Sequence, residues 1–259
     1  MLPDELGGLA CTLTGDGPAV VLLHAGVADH RMWDALVPAL AERYTVVRYD
    51  LRGFGASPPP SGPFREADDL PRVLDRLGLG RVRLVGASWG GRVAFDAALA
   101  HPDRVHSLAL LAPPWPGWPW SEQMREYDAA ETAALAAGDL EEAVRVNLDQ
   151  WLRGPARGWA EVPAGLADRL REPLRRCLAH QETVAAHSRG PGAGDPAALA
   201  VPLLVGVGAL DVPDFRAIAR RYAEAVPGAE FVEFARAAHL VAMDAPGELA
   251  AVLLPFLTR

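Results

Sequence analysis

The sequence contains no lysine: all 25 of its basic residues are arginine. That excludes a lysine Schiff base and a phosphate-binding loop ending on lysine. Cysteine is scarce, with Cys11 and Cys177 alone. Two isolated thiols cannot by themselves build a zinc site, and in a reducing compartment they are expected to be small buried apolar groups rather than a disulfide. The longest apolar runs, such as Ala19 to Leu23, fall far short of the ~20 residues that span a bilayer. No membrane association is expected. The start, Met1-Leu2-Pro3-Asp4-Glu5, has no basic stretch leading into an apolar one, so a secretory signal is not expected and a cytoplasmic location is. Positive charge is also in deficit, with 33 acidic residues leaving a net charge of −8 that disfavours a nucleic-acid partner.

What is present suits one large globular unit. The 259 residues are 50% hydrophobic and 22% charged, enough for a chain of this length to bury roughly 70 to 75% of its unfolded surface. Its 25 Gly and 23 Pro are scattered between apolar runs without a fixed period, so they act as turn punctuation.

Over the first 112 residues, apolar runs of strand length alternate with segments of helical period, the pattern of a parallel sheet covered on both faces. Strands are predicted at Ala19 to His24, Tyr44 to Tyr49, Val82 to Gly86 and Val105 to Leu111, with helices at Asp34 to Arg43, Arg65 to Leu77 and Gly90 to Ala100. The run from Pro113 to Trp120 holds four prolines, which remove donors and fix φ, so it marks a boundary. Three helices are predicted next, at Ser121 to Ala137, Asp139 to Arg153 and Pro163 to Ser188, the second opening on a capping-box pattern of Asp139 with Glu142. After a Gly/Pro-rich stretch, Arg189 to Pro196, the rhythm resumes: strands at Leu203 to Val207 and Ala229 to Phe234, helices at Phe215 to Ala225 and Pro246 to Leu257. The expected organisation is a split α/β core, 1–112 and 196–259, interrupted by a helical cap, 113–195.

Gly86-Ala87-Ser88-Trp89-Gly90 falls between a predicted strand and a predicted helix. A strand that reverses this sharply leaves the middle side chain exposed above the sheet, and the flanking glycines keep strand and helix from colliding. A serine hydroxyl becomes a useful nucleophile only when a base takes its proton, and a His held in one tautomer by a carboxylate is such a base. Asp211, just beyond the strand Leu203 to Val207, and His239, just beyond Ala229 to Phe234, would both stand on the carboxyl edge of the sheet beside Ser88.

The order Ser, Asp, His together with the Gly-x-Ser-x-Gly turn resembles the α/β-hydrolase fold serine hydrolases, and the likeness runs over nearly all of both core segments. His24-Ala25-Gly26 with Trp33 is similar to that family's His-Gly-x loop, and Asp50-Leu51-Arg52-Gly53-Phe54-Gly55-Ala56-Ser57 to its D-x-R-G-x-G-x-S loop. The resemblance implies a mostly parallel central sheet flanked by helices. It makes Ser88 the nucleophile, His239 the general base and acid, and Asp211 its orienting carboxylate. The oxyanion would be held by the backbone N–H groups of Trp89 and Gly26. Position 25 carries Ala where the family has Gly, which leaves Val27 as the alternative second donor.

Other candidates read as structural. His24 is expected to support the oxyanion loop, Asp50 and Arg52 to lock the loop that follows them, Asp214 to cap the helix that follows, and Asp244 to cap the last helix. His180 and His187 share a helix face but have no carboxylate or thiol set around them, so no metal is expected. Neither is a cofactor, because no G-x-G-x-x-G follows a strand.

The implied chemistry is acyl transfer through Ser88 to water: hydrolysis of an ester, lactone or thioester. A narrower resemblance, through Asp29-His30-Arg31-Met32-Trp33-Asp34 and Arg48-Tyr49-Asp50, is to enol-lactone hydrolases. The predicted cap has nine Arg against thirteen acidic residues, a net of −4, which does not suit a polyanionic substrate. Five of the seven Trp lie in it: Trp115, Trp118, Trp120, Trp151 and Trp159. These either pack the cap on the core or roof a pocket that also includes Val27 and Leu240, favouring a small to medium apolar or aromatic substrate. The alternatives are C–C bond hydrolysis or acyl transfer by the same three residues, and a non-catalytic ligand-binding protein of the fold.

Overall fold

A computed structural model describes residues 8–192 and 194–259; the acidic start at Met1 to Glu5 lies outside the described residues. The first part of the chain runs β1 (Cys11–Thr14), β2 (Ala19–Leu23), α1 (Val37–Ala41), β3 (Thr45–Tyr49), α2 (Asp69–Arg76), β4 (Val82–Ala87), α3 (Trp89–Ala100) and β5 (Val105–Leu111). Three helices follow, α4 (Glu122–Ala136), α5 (Leu140–Asn147) and α6 (Leu166–His187). The chain then returns to the sheet through β6 (Leu203–Gly208), α7 (Pro213–Ala225), β7 (Glu230–Phe234), the short α8 (Val241–Asp244) and α9 (Pro246–Leu257).

The seven strands form one sheet in the order β1-β3-β2-β4-β5-β6-β7. All pairings are parallel except that of β1 with β3. β2 and β6 are buried at every residue and hold only Ala, Val, Leu and Gly, as strands covered on both faces do. Alternation along β2 sends Val20 and Leu22 into one apolar cluster and Val21 and Leu23 into the other, so each face of the sheet has its own core. The edge strand β1 was not predicted from Cys-Thr-Leu-Thr: it is short, its burial is partial at best, and pairing with β3 rather than apolar content defines it.

The order of the strands sets the location of the site. From β2 the chain crosses to β3 on one side, and it returns to β4 on the other, so the carboxyl ends of β2 and β4 flank the point where the sheet changes direction. In open parallel sheets such a point opens a crevice.

The helical segment between β5 and β6 does not build a separate core. Leu148, Leu152, Leu170 and Leu174 join the cluster on one face of the sheet, while Met124 and Trp151 join the other. It is tied down by polar contacts as well. Arg157 pairs with Asp244 at 2.9 Å, Asp214 accepts from Ser121 N–H at 2.9 Å, and Phe64 exchanges backbone hydrogen bonds with His187 and Arg189 at 3.1 and 3.0 Å. The predicted helix from Asp139 to Arg153 is α5 followed by a wider π turn, Leu148–Arg153. Asp139 accepts from Glu142 N–H at 3.0 Å, the first half of the expected capping box; the Glu142 carboxylate turns instead to Arg145. The predicted helix from Asp34 to Arg43 is shorter than expected, because a tight turn over His30–Trp33 precedes it and α1 covers only Val37–Ala41. Among the described residues, no helix is long and apolar enough to cross a membrane.

Candidate active site

The turn after β4 carries the strain its sequence suggests. Ser88 sits at φ 49° and ψ −120°, a left-handed region that costs a non-glycine residue about 1 to 3 kcal/mol. Its N–H donates to Leu111 O at 2.7 Å and its C=O accepts from Arg92 N–H at 3.0 Å, which anchors the turn between β5 and α3. A Cβ at Gly86 would overlap the Gly90 carbonyl, and one at Gly90 would overlap the His24 carbonyl. Both positions therefore require glycine for strand and helix to approach this closely.

Three side chains from three strand ends converge here. His239 Nε2 lies 2.8 Å from Ser88 Oγ, and His239 Nδ1 lies 2.9 Å from Asp211 Oδ2. The other Asp211 oxygen accepts from Val212 N–H at 2.7 Å, so both oxygens are held. Asp211 and His239 are 3% exposed, and Ser88 is half-buried. The imidazole is clamped between Phe215 and Trp151, with ring centres 4.5 and 4.6 Å away. With Asp211 accepting at Nδ1, Nε2 is left as the nitrogen able to take the hydroxyl proton.

The backbone N–H groups of Gly26, Val27 and Trp89 face no acceptor among the described residues. A Cβ on Gly26 would stand 3.3 Å from Trp89 Cβ, so these two residues are in direct apposition. His24 is fully buried and braces the loop: its Nδ1 lies 2.8 Å from Ala25 O, and its Nε2 accepts from Leu51 N–H at 2.9 Å. That bonding requires the neutral tautomer protonated on Nδ1, and burial holds the group's pKa below the usual histidine value.

A cavity of about 540 Å³ opens on Ser88 and His239, with Gly26, Val27, Trp89 and Trp151 in its wall. A second, of about 410 Å³, reaches Ser88 from the other side of Trp151 and Tyr127, and Trp120 and Phe215 line it. Of the expected pocket residues, Val27 and Trp151 line the first and Trp120 the second. Trp115, Trp118, Trp159 and Leu240 line neither. Trp115 packs on Tyr222 at 4.7 Å, Trp118 donates to Asp214 at 3.1 Å, Trp159 is 44% exposed and donates to Asp149, and Leu240 is buried in the core. Asp214 therefore ties the inserted segment to α7. Asp244 accepts from Ala238 N–H at 2.8 Å and from Arg157 rather than capping the last helix. Asp50 does lock its loop, through His30 and Ala56, whereas Arg52 pairs with Asp69.

Sequence reasoning did not find Glu66, Tyr127, Glu131, Asn147 or Gln181, all of which line the larger cavity. Asn147 carried a signal, being the one asparagine in the chain. Cys177 also lines this cavity; burial pushes its thiol up to about 12, which keeps it protonated and unreactive. Among the described residues, Asp29, His30 and Asp50 place ligand atoms close enough to share an ion. Those atoms are already engaged, Asp50 with both nitrogens of His30 that face it and Asp29 with Arg31.

Against known proteins, residues 18–246 match the family model described as the alpha/beta hydrolase fold. A fluoroacetate dehalogenase from Burkholderia is 44% identical over 109 residues, 39% of this chain and 36% of that protein. A pimeloyl-[acyl-carrier protein] methyl ester esterase from Aeromonas hydrophila is 42% identical over 103 residues, 38% of this chain and 39% of that protein. The matched part thus spans little more than a third of either relative. Among solved structures, a hydrolase from Pseudomonas aeruginosa superposes with a TM-score of 0.80 at 30% identity, covering 97% of this chain and 94% of the other. The enol-lactonase from Burkholderia xenovorans superposes equally well, TM-score 0.80, at 23% identity over 97% and 95% of the two chains, a likeness of fold. With the sheet order, the turn at Ser88 and a family match over most of its length, the chain belongs to the alpha/beta hydrolase fold family.

Proposed function

We propose that this protein is a serine hydrolase that cleaves a carboxylic ester, lactone or thioester of a small to medium substrate through an acyl-enzyme on Ser88. The observation that carries the reading is the unbroken relay from Ser88 Oγ through His239 to Asp211, at 2.8 and 2.9 Å. As the Ser88 oxygen attacks the acyl carbon, His239 Nε2 takes its proton and the carbonyl oxygen becomes an oxyanion. The Trp89 and Gly26 N–H groups receive that charge. Gly26 is preferred to Val27 because it is the residue apposed to Trp89. Collapse of the tetrahedral adduct passes the proton from His239 to the leaving oxygen or sulfur. Water, deprotonated by the same nitrogen, then releases the acid.

The strained backbone at Ser88 supports this reading, since it accompanies a hydroxyl turned to His239 Nε2 at the carboxyl edge of the sheet. So does the packing of Trp151 and Phe215 on His239, which holds the buried ring in place. In this reading residues 113–195 form a cap over the core of 1–112 and 196–259, and the two cavities on either side of Trp151 take the two arms of the substrate.

The test is labelling with a fluorophosphonate, followed by mass spectrometry of the adduct, alongside turnover of p-nitrophenyl esters. Label is expected on Ser88, and Ser88→Ala is expected to lower turnover by roughly 10⁴-fold or more. Label on another residue, or full turnover in that variant, refutes the assignment.

A further inference from the structure

The larger cavity at Ser88 has a charge character that the relay alone does not require. Two carboxylates, Glu66 and Glu131, line it, and among the described residues in its wall there is no arginine. Glu66 is 6% exposed. Its side-chain donors are neutral, a long contact of 3.5 Å from the Ser188 hydroxyl and the Trp89 indole N–H, and among the described residues no cation pairs with it. The Arg52 guanidinium, near enough to feel the Glu66 charge, is committed to Asp69 at 2.7 Å. Burial accordingly raises the Glu66 carboxyl above its ordinary range, with the nearby Asp69 adding to the effect.

The polar group on the facing helices is also rich in acceptors. The Asn147 amide nitrogen lies between the Ala143 carbonyl, at 2.9 Å, and the Glu131 carboxylate, which fixes its orientation because both neighbours only accept. Asn147 Oδ1 therefore faces the Tyr127 hydroxyl at 2.8 Å, while Glu131 Oε2 faces the same hydroxyl at 2.7 Å. Tyr127 has a single proton for these two acceptors, and its lone pair is taken by the Trp151 indole N–H at 2.9 Å. Burial and the proximity of Glu131 hold that phenol well above its usual pKa, so it does not ionise. Gln181 Nε2 donates to Glu131 Oε1 at 3.3 Å, so the acceptor left for a donor from outside is whichever of Asn147 Oδ1 and Glu131 Oε2 the single Tyr127 proton does not serve.

We infer that the arm of the substrate lying in this cavity is an apolar chain ending in a hydrogen-bond donor such as a hydroxyl or ammonium, and that Glu66 and Glu131 reject carboxylate-bearing substrates. This rests on the hydrolase reading of Ser88 and deepens it. An incoming carboxylate would shed its hydration beside two carboxylates with no cation to receive it, whereas a hydroxyl or ammonium would meet acceptors already in place. The apolar remainder of the wall, including Val27, Phe54 and Leu178, suits the chain between the reacting ester and that donor.

The test uses two matched series, because either arm of an ester could occupy this cavity. In one, p-nitrophenol is esterified with hexanoate, 6-hydroxyhexanoate or hydrogen adipate. In the other, acetate is carried by hexanol, by hexanediol or by 6-hydroxyhexanoate. In at least one series kcat/KM for the hydroxyl-ended ester is expected to exceed that of the carboxylate-ended ester by about 100-fold. Glu66→Gln and Glu131→Gln should each narrow that ratio by roughly tenfold. Equal rates for hydroxyl-ended and carboxylate-ended esters in both series, or a ratio unmoved by both variants, overturns the inference. Equilibrium binding of the same compounds to the Ser88→Ala protein reads the preference without turnover. Selective binding there with no hydrolysis by the unaltered protein would overturn the hydrolase reading while supporting this one. Hydrolysis with indifferent binding would do the reverse.

Discussion

Arg157 and Asp244 form a buried ion pair whose loss can be worked through from its surroundings. Their side chains are 3% and 1% exposed, and both carboxylate oxygens lie 2.9 Å from the guanidinium. Arg157 also donates to the carbonyls of Leu152 and Arg153, at 2.6 and 2.9 Å, and so closes the π turn. Asp244 Oδ2 accepts from Ala238 N–H at 2.8 Å, next to His239. Arg157→Met removes the cation, keeps the apolar stem, and leaves a carboxylate and two carbonyls without their donor. Stranding one member of a buried pair costs about 3 to 5 kcal/mol, a large part of the ~5 to 15 kcal/mol that holds a typical domain folded.

The effect of losing the pair also depends on pH. Burial, only partly offset by Arg157 and the Ala238 N–H, already raises the Asp244 carboxyl above its ordinary range. Without the guanidinium it should rise further. A carboxyl raised on folding binds protons more readily in the folded state, so stability falls as pH rises from the unfolded value through the folded one. The loss caused by Arg157→Met should therefore be greatest near neutrality and shrink toward acid. Urea unfolding of both proteins at several pH values measures it. A loss under about 1 kcal/mol at neutral pH, or one that grows on acidification, would show that the pair does not carry the load assigned to it. In a double-mutant cycle, Arg157→Met with Asp244→Leu should recover more than about 1 kcal/mol relative to the sum of the single changes.

Three further outcomes follow from particular contacts. Gly86→Ala forces a Cβ into the Gly90 carbonyl and should lower stability by about 3 kcal/mol or more, read as a fall in melting temperature; an unchanged melting temperature contradicts the close approach. At Asp50, burial would raise the carboxyl, but hydrogen bonds from His30 and from Ala56 N–H, with His24 nearby, hold it below its ordinary value. A carboxyl lowered on folding, and a His24 lowered by burial, both stabilise above their unfolded pKa values and lose that contribution as pH falls. Unfolding below pH 6 should thus become easier, and Asp50→Asn should flatten the part of that slope near pH 4 while costing about 2 to 3 kcal/mol at neutrality. Trp151→Ala removes the ring against His239 and the donor to Tyr127; a stability loss of about 3 to 5 kcal/mol is expected by thermal unfolding, and a loss under 1 kcal/mol would mean the site closes over the gap.

The two halves of the site were unequally legible, for a physical reason. Ser88 and Asp211 each follow a strand of strong apolar character and His239 a strand that alternates Glu with Phe and Val, and a parallel sheet delivers all such ends to one edge. Their positions depend on short stretches of chain, so a reader of the sequence can place them to within a residue or two. Strand β5 and helix α9 were likewise legible to their exact ends, since Val/Leu content and a helical apolar stripe define them locally. β1 was not, because its existence depends on the partner strand it lies against.

The wall of the cavity depends on contacts of a different kind. Tyr127 is on α4, Asn147 ends α5, Trp151 is on the π turn and Gln181 is on α6, while Glu66 comes from the loop before α2. No spacing within any one of these segments announces that they meet. Trp151 shows how much the local geometry decides: a regular α-helix was predicted over Asp139 to Arg153, and the wider π turn that replaces its last part alters the direction in which residues 148–153 present their side chains. In the structure that turn sets the Trp151 ring against His239 and its N–H on Tyr127. Five tryptophans in one segment were equivalent in the sequence, yet Trp159, eight residues on, is exposed, because the chain leaves the π turn through Gly154 at φ 73°. Ser88, Asp211 and His239 are thus fixed by the sheet, which composition encodes, and the wall of the cavity is fixed by how helices cross, which it does not. A substrate preference inferred from the number of Trp alone would favour any aromatic compound; the two carboxylates and the shared Tyr127 proton give a narrower criterion.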